Sequence, residues 1–97
     1  MNRKELYKNI FETYEKLGGE LTIEIREIKT NKTGVASANG NGIHCFYGND
    51  DGSDDCFNLT LDEFSDRFDI ERTIDENTLI ASKVVNDGNN YKLEREC

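Results

Sequence analysis

The chain has 97 residues, of which 33% are charged and 35% hydrophobic, and its formal net charge at pH 7 is −8. This length predicts one domain, residues 1–97, with a small core. No apolar run approaches the roughly 18 residues that a membrane span requires, and no apolar segment typical of a secretory signal follows the N-terminus. We therefore expect a cytoplasmic protein whose cysteines are reduced.

The first predicted element is an amphipathic helix over residues 3–17. Its apolar residues recur at helical spacing: Leu6, Tyr7, Ile10, Phe11, Tyr14 and Leu17. Asn2 is a suitable N-cap, and the Gly18-Gly19 pair can adopt the left-handed conformation that ends many helices.

Strands are predicted next, at residues 20–28, 35–38, 43–47 and 56–59. The first of them shows the clearest alternation, with Leu21, Ile23 and Ile25 on one side of the chain. Two Asn-Gly pairs between residues 39 and 42 indicate a tight turn. The polar residues 48–55 predict a loop between the last two of these strands.

A short second helix is predicted to begin after Thr60, because Thr60 and Glu63 have the spacing of a capping box. Residues 69–75 fit either an extension of this helix or a strand. Residues 78–85 and 90–96 predict a terminal hairpin around an Asp-Gly turn. The order of elements predicts an α+β fold, in which an N-terminal amphipathic helix packs on a small antiparallel sheet, with a short second helix and a C-terminal β-hairpin.

The net negative charge is concentrated between Gly48 and Glu76. This segment holds 11 acidic and 2 basic residues, a net charge of −9, whereas residues 1–47 carry +1 and residues 77–97 carry 0. Such a surface repels nucleic acid and attracts basic partners or cations. Elsewhere, basic residues are interspersed with acidic ones and do not alternate with aromatic residues. Direct binding to nucleic acid or to a membrane surface is therefore not expected.

We predict that the acidic segment contacts a basic protein, such as a nuclease or a nucleic-acid-binding complex, and thereby inhibits or regulates it. The predicted contact residues are Asp50, Asp51, Asp54, Asp55, Asp62, Glu63 and Asp66. In size and charge, though in no shared motif, the chain resembles phage anti-CRISPR and anti-restriction proteins and bacterial immunity proteins. A purely solubilising surface is the alternative interpretation.

Two other functional classes remain open at this stage. The loop from Asn49 to Asp55 has the carboxylates of a calcium site, but an EF-hand with Gly52 at its sixth position would place Tyr47 and Asn58 at the first and twelfth. Neither side chain is a carboxylate, so the EF-hand pattern fails. The remaining class is a structural or assembly subunit that makes contacts through an apolar edge strand.

The cysteines and the one histidine do not predict a zinc or catalytic site. His44 and Cys45 are adjacent, so in a strand they point to opposite faces. Cys45 and Cys56 are predicted to be small buried thiols, with a disulfide between them as the alternative. Cys97 is the last residue. Because no catalytic or metal motif is present, we expect neither enzymatic activity nor a cofactor.

Overall fold

The computed structural model describes residues 1–96. Its seven strands form one antiparallel sheet in the order β4-β3-β2-β1-β5-β6-β7. The elements are α1 (Arg3–Lys16), β1 (Leu21–Glu27), β2 (Thr33–Asn39), β3 (Gly42–Gly48), β4 (Asp54–Leu59), α2 (Leu61–Arg67), β5 (Phe68–Asp75), β6 (Ile80–Asp87) and β7 (Asn90–Arg95). This arrangement confirms the predicted α+β class, the N-terminal helix, the short second helix and the C-terminal hairpin.

Local sequence signals determine where α1 begins and ends. The Asn2 side chain accepts a hydrogen bond from the backbone N–H of Glu5 at 2.9 Å, as an N-cap does. After Lys16, Gly18 and Gly19 adopt φ values of 67° and 84°, which glycine reaches without steric penalty. The apolar side of α1 is buried against the sheet.

An aromatic cluster joins both helices to one face of the sheet. Phe64 of α2 meets Tyr7 and Phe11 of α1 edge-to-face, with ring centroids 6.0 and 5.2 Å apart. It also stacks on Phe68 of β5 at 5.6 Å. Since α1 and α2 both pack against this face, the strand residues that alternate away from it form a second face that neither helix covers.

The sheet opens between β5 and β6. These strands pair from Arg72 to Asp75, so within the described chain the start of β5 has no partner strand on that side. The Tyr7 side chain of α1 replaces a hydrogen bond that a partner strand would make there. Its hydroxyl accepts the Ile70 N–H at 3.0 Å and donates to the Asp69 carboxylate at 3.3 Å. The Ile70 N–H at this opening is therefore hydrogen-bonded although the strands diverge.

The structure decides one alternative that the sequence left open and corrects predicted boundaries. Of the two predictions for residues 69–75, the strand is confirmed and begins at Phe68, because Phe68 and Ile70 are buried opposite β1 rather than along a continued helix. Asp54 and Asp55 belong to β4 and not to a loop, because the β3–β4 register extends to the pair Gly48–Asp54. The last hairpin begins at residue 80, after Leu79 adopts a left-handed φ of 59° in the preceding turn.

Candidate functional site

The acidic segment contains both ion-paired carboxylates and carboxylates that have no counter-ion within residues 1–96. An ion-paired group lies on β5, where the Asp69 carboxylate is 2.7 Å from the Arg3 guanidinium. The guanidinium of Arg26 in β1 lies 3.8 Å from the Asp69 carboxylate and 2.8 Å from the Glu71 carboxylate. These arginines hold Asp69 and Glu71 in ion pairs, so these two carboxylates expose little uncompensated charge.

A second group lies where β3 turns into β4, and we call Asp50, Asp51, Asp54 and Asp55 the acidic corner. All four side chains are exposed. Across residues 1–96, Asp50, Asp54 and Asp55 form no ion pair. The lysine that touches this loop is Lys32, which donates to the Asn49 side chain at 2.8 Å.

Asp51 differs from its neighbours because it stabilises the loop. Its carboxylate accepts hydrogen bonds from the Ser53 hydroxyl at 2.6 Å and from the Ser53 N–H at 2.9 Å. These bonds lower the pKa of the Asp51 carboxyl. The charge of Asp51 remains exposed, but its main structural effect is to fix the turn that leads into β4.

Two of the predicted contact residues of α2, Asp62 and Glu63, have local partners. The Glu63 carboxylate accepts the Thr60 N–H at 3.0 Å while the Thr60 hydroxyl accepts the Glu63 N–H at 3.2 Å, so the predicted capping box is confirmed. The bond to the Thr60 backbone lowers the pKa of Glu63. Asp62 is paired with the exposed Lys4. Asp66, one turn later, is exposed and makes no ion pair within the described chain.

The seven predicted residues do not form one patch. Asp54 and Asp55 begin β4, whereas Asp62 and Glu63 follow its end, so the length of a six-residue strand, roughly 20 Å, separates the two groups. Asp66 lies at the other end of α2, next to Arg67. The structure therefore brings Asp50, Asp51, Asp54 and Asp55 together and places Asp62 and Glu63 elsewhere.

An ion pair between the buried Glu27 and the exposed Arg67 was missed by the sequence analysis. Glu27 occupies a helix-facing position of β1 and is only 7% exposed. Its carboxylate accepts hydrogen bonds from the Thr30 hydroxyl at 2.6 Å and from the Arg67 guanidinium at 2.7 Å. The guanidinium also lies 4.3 Å from the ring centroid of Phe57 in β4. Glu27 thus connects the β1–β2 turn, α2 and β4.

We expect Glu27→Gln to lower the free energy of unfolding by about 1–3 kcal/mol at neutral pH, because it weakens two hydrogen bonds to a buried group. Thr30 first, and then Arg67, lower the pKa of the Glu27 carboxyl below its usual 4.5. The stabilisation is therefore complete above pH 4.5 and is lost as the pH falls through the folded-state pKa.

Urea unfolding of wild type and Glu27→Gln, at neutral pH and at several pH values below 4.5, measures both effects. The stability difference should shrink as the pH falls. Glu12→Gln, at an exposed position of α1, is the control and should match wild type at neutral pH. A difference that stays constant down to the most acidic pH would contradict the assigned role of Glu27.

The cysteines occupy opposite faces of the sheet. Cys45 is fully buried on the helix-facing side, and burial raises the pKa of its thiol to about 12. Cys56 pairs with Phe46 on the uncovered face and is exposed. The prediction that Cys56 is buried is therefore wrong, and so is a disulfide between Cys45 and Cys56. Cys97 lies outside the described residues.

In a Cys97→Ser background, we expect one thiol to react rapidly with a disulfide reagent under native conditions. That thiol is Cys56, because thiolate formation at Cys45 is suppressed by burial. Cys45 should react only after unfolding in denaturant. Absorbance of the released chromophore counts the reactive thiols, and peptide mapping identifies them. Two rapidly reacting thiols in the native protein would contradict this assignment.

No grouping of three or more His, Cys, Asp or Glu side chains is placed to hold a metal ion anywhere in residues 1–96. His44 contacts the Asn58 side chain at 3.1 Å on the uncovered face. No helix in the described chain has both the length and the apolar character needed to cross a membrane.

Comparisons with protein-family models, curated proteins and solved structures gave no significant match.

Proposed function

We propose that the chain binds a basic protein through the acidic corner and inhibits or regulates it, with a nuclease or another nucleic-acid-binding protein as the class of partner. The division of the acidic segment supports this proposal. Arg3 and Arg26 pair with Asp69 and Glu71 of β5, whereas Asp50, Asp54 and Asp55 have no described counter-ion. A protein groove that binds phosphates is positively charged, so it is complementary to these unpaired carboxylates.

The geometry of the corner suits a rigid contact. Asp54 and Asp55 are successive residues of β4, so their side chains leave opposite faces of the strand. The loop before them is fixed by the hydrogen bonds of Asp51, and β4 is anchored through Phe57 and Arg67. Charges held in place in this way complement a partner surface at little loss of conformational entropy.

Association driven by such a surface should depend strongly on salt. Exposed charges attract an oppositely charged partner over about one Debye length, which shortens from about 10 Å at 0.1 M to about 3 Å at 1 M ionic strength. Steering of this kind raises the association rate by roughly 10- to 1,000-fold when salt is low. Capture of the partner should therefore fail at high salt.

A capture experiment tests the proposal. Three immobilised forms of the protein are incubated with a cell lysate at low and high salt, and bound proteins are identified by mass spectrometry. The forms are wild type, a corner variant (Asp50→Asn, Asp54→Asn, Asp55→Asn) and a charge-matched control (Glu12→Gln, Glu15→Gln, Glu94→Gln). The control residues are exposed and without described ion pairs, so both variants lose three charges.

We expect wild type and the control to capture a basic protein at low salt, and the corner variant to capture much less of it. The fold should not change, since the side chains of the three substituted aspartates make no described hydrogen bonds. A partner that all three forms retain equally would contradict the proposal, and so would a partner that stays bound at high salt.

A further inference from the structure

One edge of the sheet is open along its whole length. Among residues 1–96, β4 is the last strand on its side and pairs only with β3. The opposite edge, at β7, is partly covered, because the Tyr91 N–H donates to the Met1 carbonyl at 2.7 Å and the Met1 amino group donates to Asn90 at 2.6 Å. Within residues 1–96, no comparable segment covers β4.

The register shows which backbone groups of β4 are free. The Asn49 N–H donates to the Ser53 carbonyl at 2.7 Å, just beyond the pair Gly48–Asp54. In an antiparallel ladder, hydrogen-bonded pairs alternate with pairs that are not hydrogen-bonded. The residues whose N–H and C=O groups point to β3 are therefore Asp55, Phe57 and Leu59. Those whose groups point away from the sheet are Asp54, Cys56 and Asn58.

We propose that the partner adds an extended basic segment to the sheet as a strand beside β4. This inference rests on the proposed function and specifies how the partner binds. Free main-chain groups on β4 would supply hydrogen bonds, as in other cases of strand addition. Lysine or arginine side chains on either face of the added strand would meet Asp54 on one side or Asp55 on the other.

Charge favours a basic segment over a second copy of this chain. β4 carries two carboxylates and no basic residue, and the loop before it adds Asp50 and Asp51. Pairing of two β4 strands would bring these like charges together, and charged edge strands resist such self-pairing. The same charges attract a cationic strand.

The test uses a defined probe, an eight-residue peptide of alternating lysine and valine. It is titrated into 15N-labelled wild-type protein at low salt, and amide shifts and hydrogen exchange are followed by NMR. We expect the amides of Cys56 and Asn58 to shift and to become protected from exchange. A glutamate–valine peptide serves as the negative control. If these two amides remain unchanged at millimolar lysine–valine peptide, the inference is overturned.

Two N-methylated forms of the peptide separate strand pairing from charge attraction. One is methylated on the backbone nitrogen of every valine, and the other on the backbone nitrogen of every lysine. Each form therefore loses the backbone N–H donors of one edge of the peptide strand and keeps every charge. Because only one edge of an added strand can pair with β4, one form should bind about tenfold more weakly than the parent peptide. Equal binding of all three peptides would overturn the inference.

A substitution in β4 tests the same strand pairing by removing a hydrogen-bond donor of the protein instead of one of the peptide. Cys56→Pro removes an outward N–H, which an edge strand tolerates, while Cys56→Thr removes the thiol and keeps the N–H. We expect the proline variant to bind the peptide at least tenfold more weakly than the threonine variant. Circular dichroism verifies that both variants are folded. If the proline variant is unfolded, the methylated peptides alone test whether the peptide pairs with β4.

The outcomes distinguish this inference from the proposed function. If Asp54→Asn and Asp55→Asn weaken peptide binding while backbone methylation and Cys56→Pro do not, the acidic corner binds cations without adding a strand, and the inference fails alone. If none of these changes matters, both fail. Self-association of the chain through β4 at high salt would also overturn the inference.

Discussion

Phe64→Ala is expected to destabilise the protein by about 3–5 kcal/mol, the range measured when a large aromatic side chain is removed from a core. The Phe64 ring is 0% exposed and lies at the centre of the aromatic cluster. It contacts Tyr7 and Phe11 on one side and Phe68 on the other. Its removal leaves a cavity at the point where α1, α2 and β5 meet.

Urea or thermal unfolding followed by circular dichroism measures this loss. Phe46→Ala is the matched control, because it removes the same side chain from the uncovered face of the sheet, where Phe46 is exposed. The control should lose less than half as much stability as Phe64→Ala. Equal losses for the two variants would contradict the assignment of the core to the helix-facing side.

The second large effect is expected for Gly34→Ala in β2. A Cβ atom at this position would lie 2.6 Å from the Cβ of Tyr47 and even closer to the Phe46 carbonyl oxygen. Both atoms belong to the neighbouring strand β3, so β2 and β3 must move apart to accommodate the added Cβ. We expect a loss of about 3 kcal/mol, at the upper end of what overpacking costs.

Gly40→Ala is the control for this substitution. Gly40 lies in the β2–β3 turn, where an added Cβ would meet no atom within 4 Å and where φ is not in the left-handed region. Its stability should be unchanged or slightly raised, because alanine restricts the unfolded chain. If Gly34→Ala is as stable as Gly40→Ala, the close approach of β2 and β3 described above is incorrect.

The elements predicted most accurately are those whose signals are local. α1 has a helical stripe, an N-cap and a glycine stop within 18 residues, and β1 has strict alternation. The boundary between α2 and β5 was ambiguous because Phe68 satisfies two patterns. It continues the apolar face of Leu61 and Phe64, and it also begins the alternation with Ile70. Pairing with β1, which is distant in sequence, decides in favour of the strand.

The site could be predicted only in part, because counter-ions come from distant parts of the chain. Sequence shows that the acidic segment is charged, but not that Arg3 and Arg26 pair with Asp69 and Glu71 within it. The division that distinguishes the acidic corner from β5 follows from the fold. Glu27 is an exception, since continuing the alternation of β1 by one more step would have predicted it to face the core.

The association rate of the captured partner is the most direct test of the central claim, that the acidic corner is the contact surface. It should be measured over a series of salt concentrations for wild type, the corner variant and the charge-matched control. At low salt we expect the corner variant to associate about tenfold more slowly than wild type, with the control within about twofold. The three rates should converge at high salt. Equal association rates for wild type and the corner variant at low salt would contradict the claim.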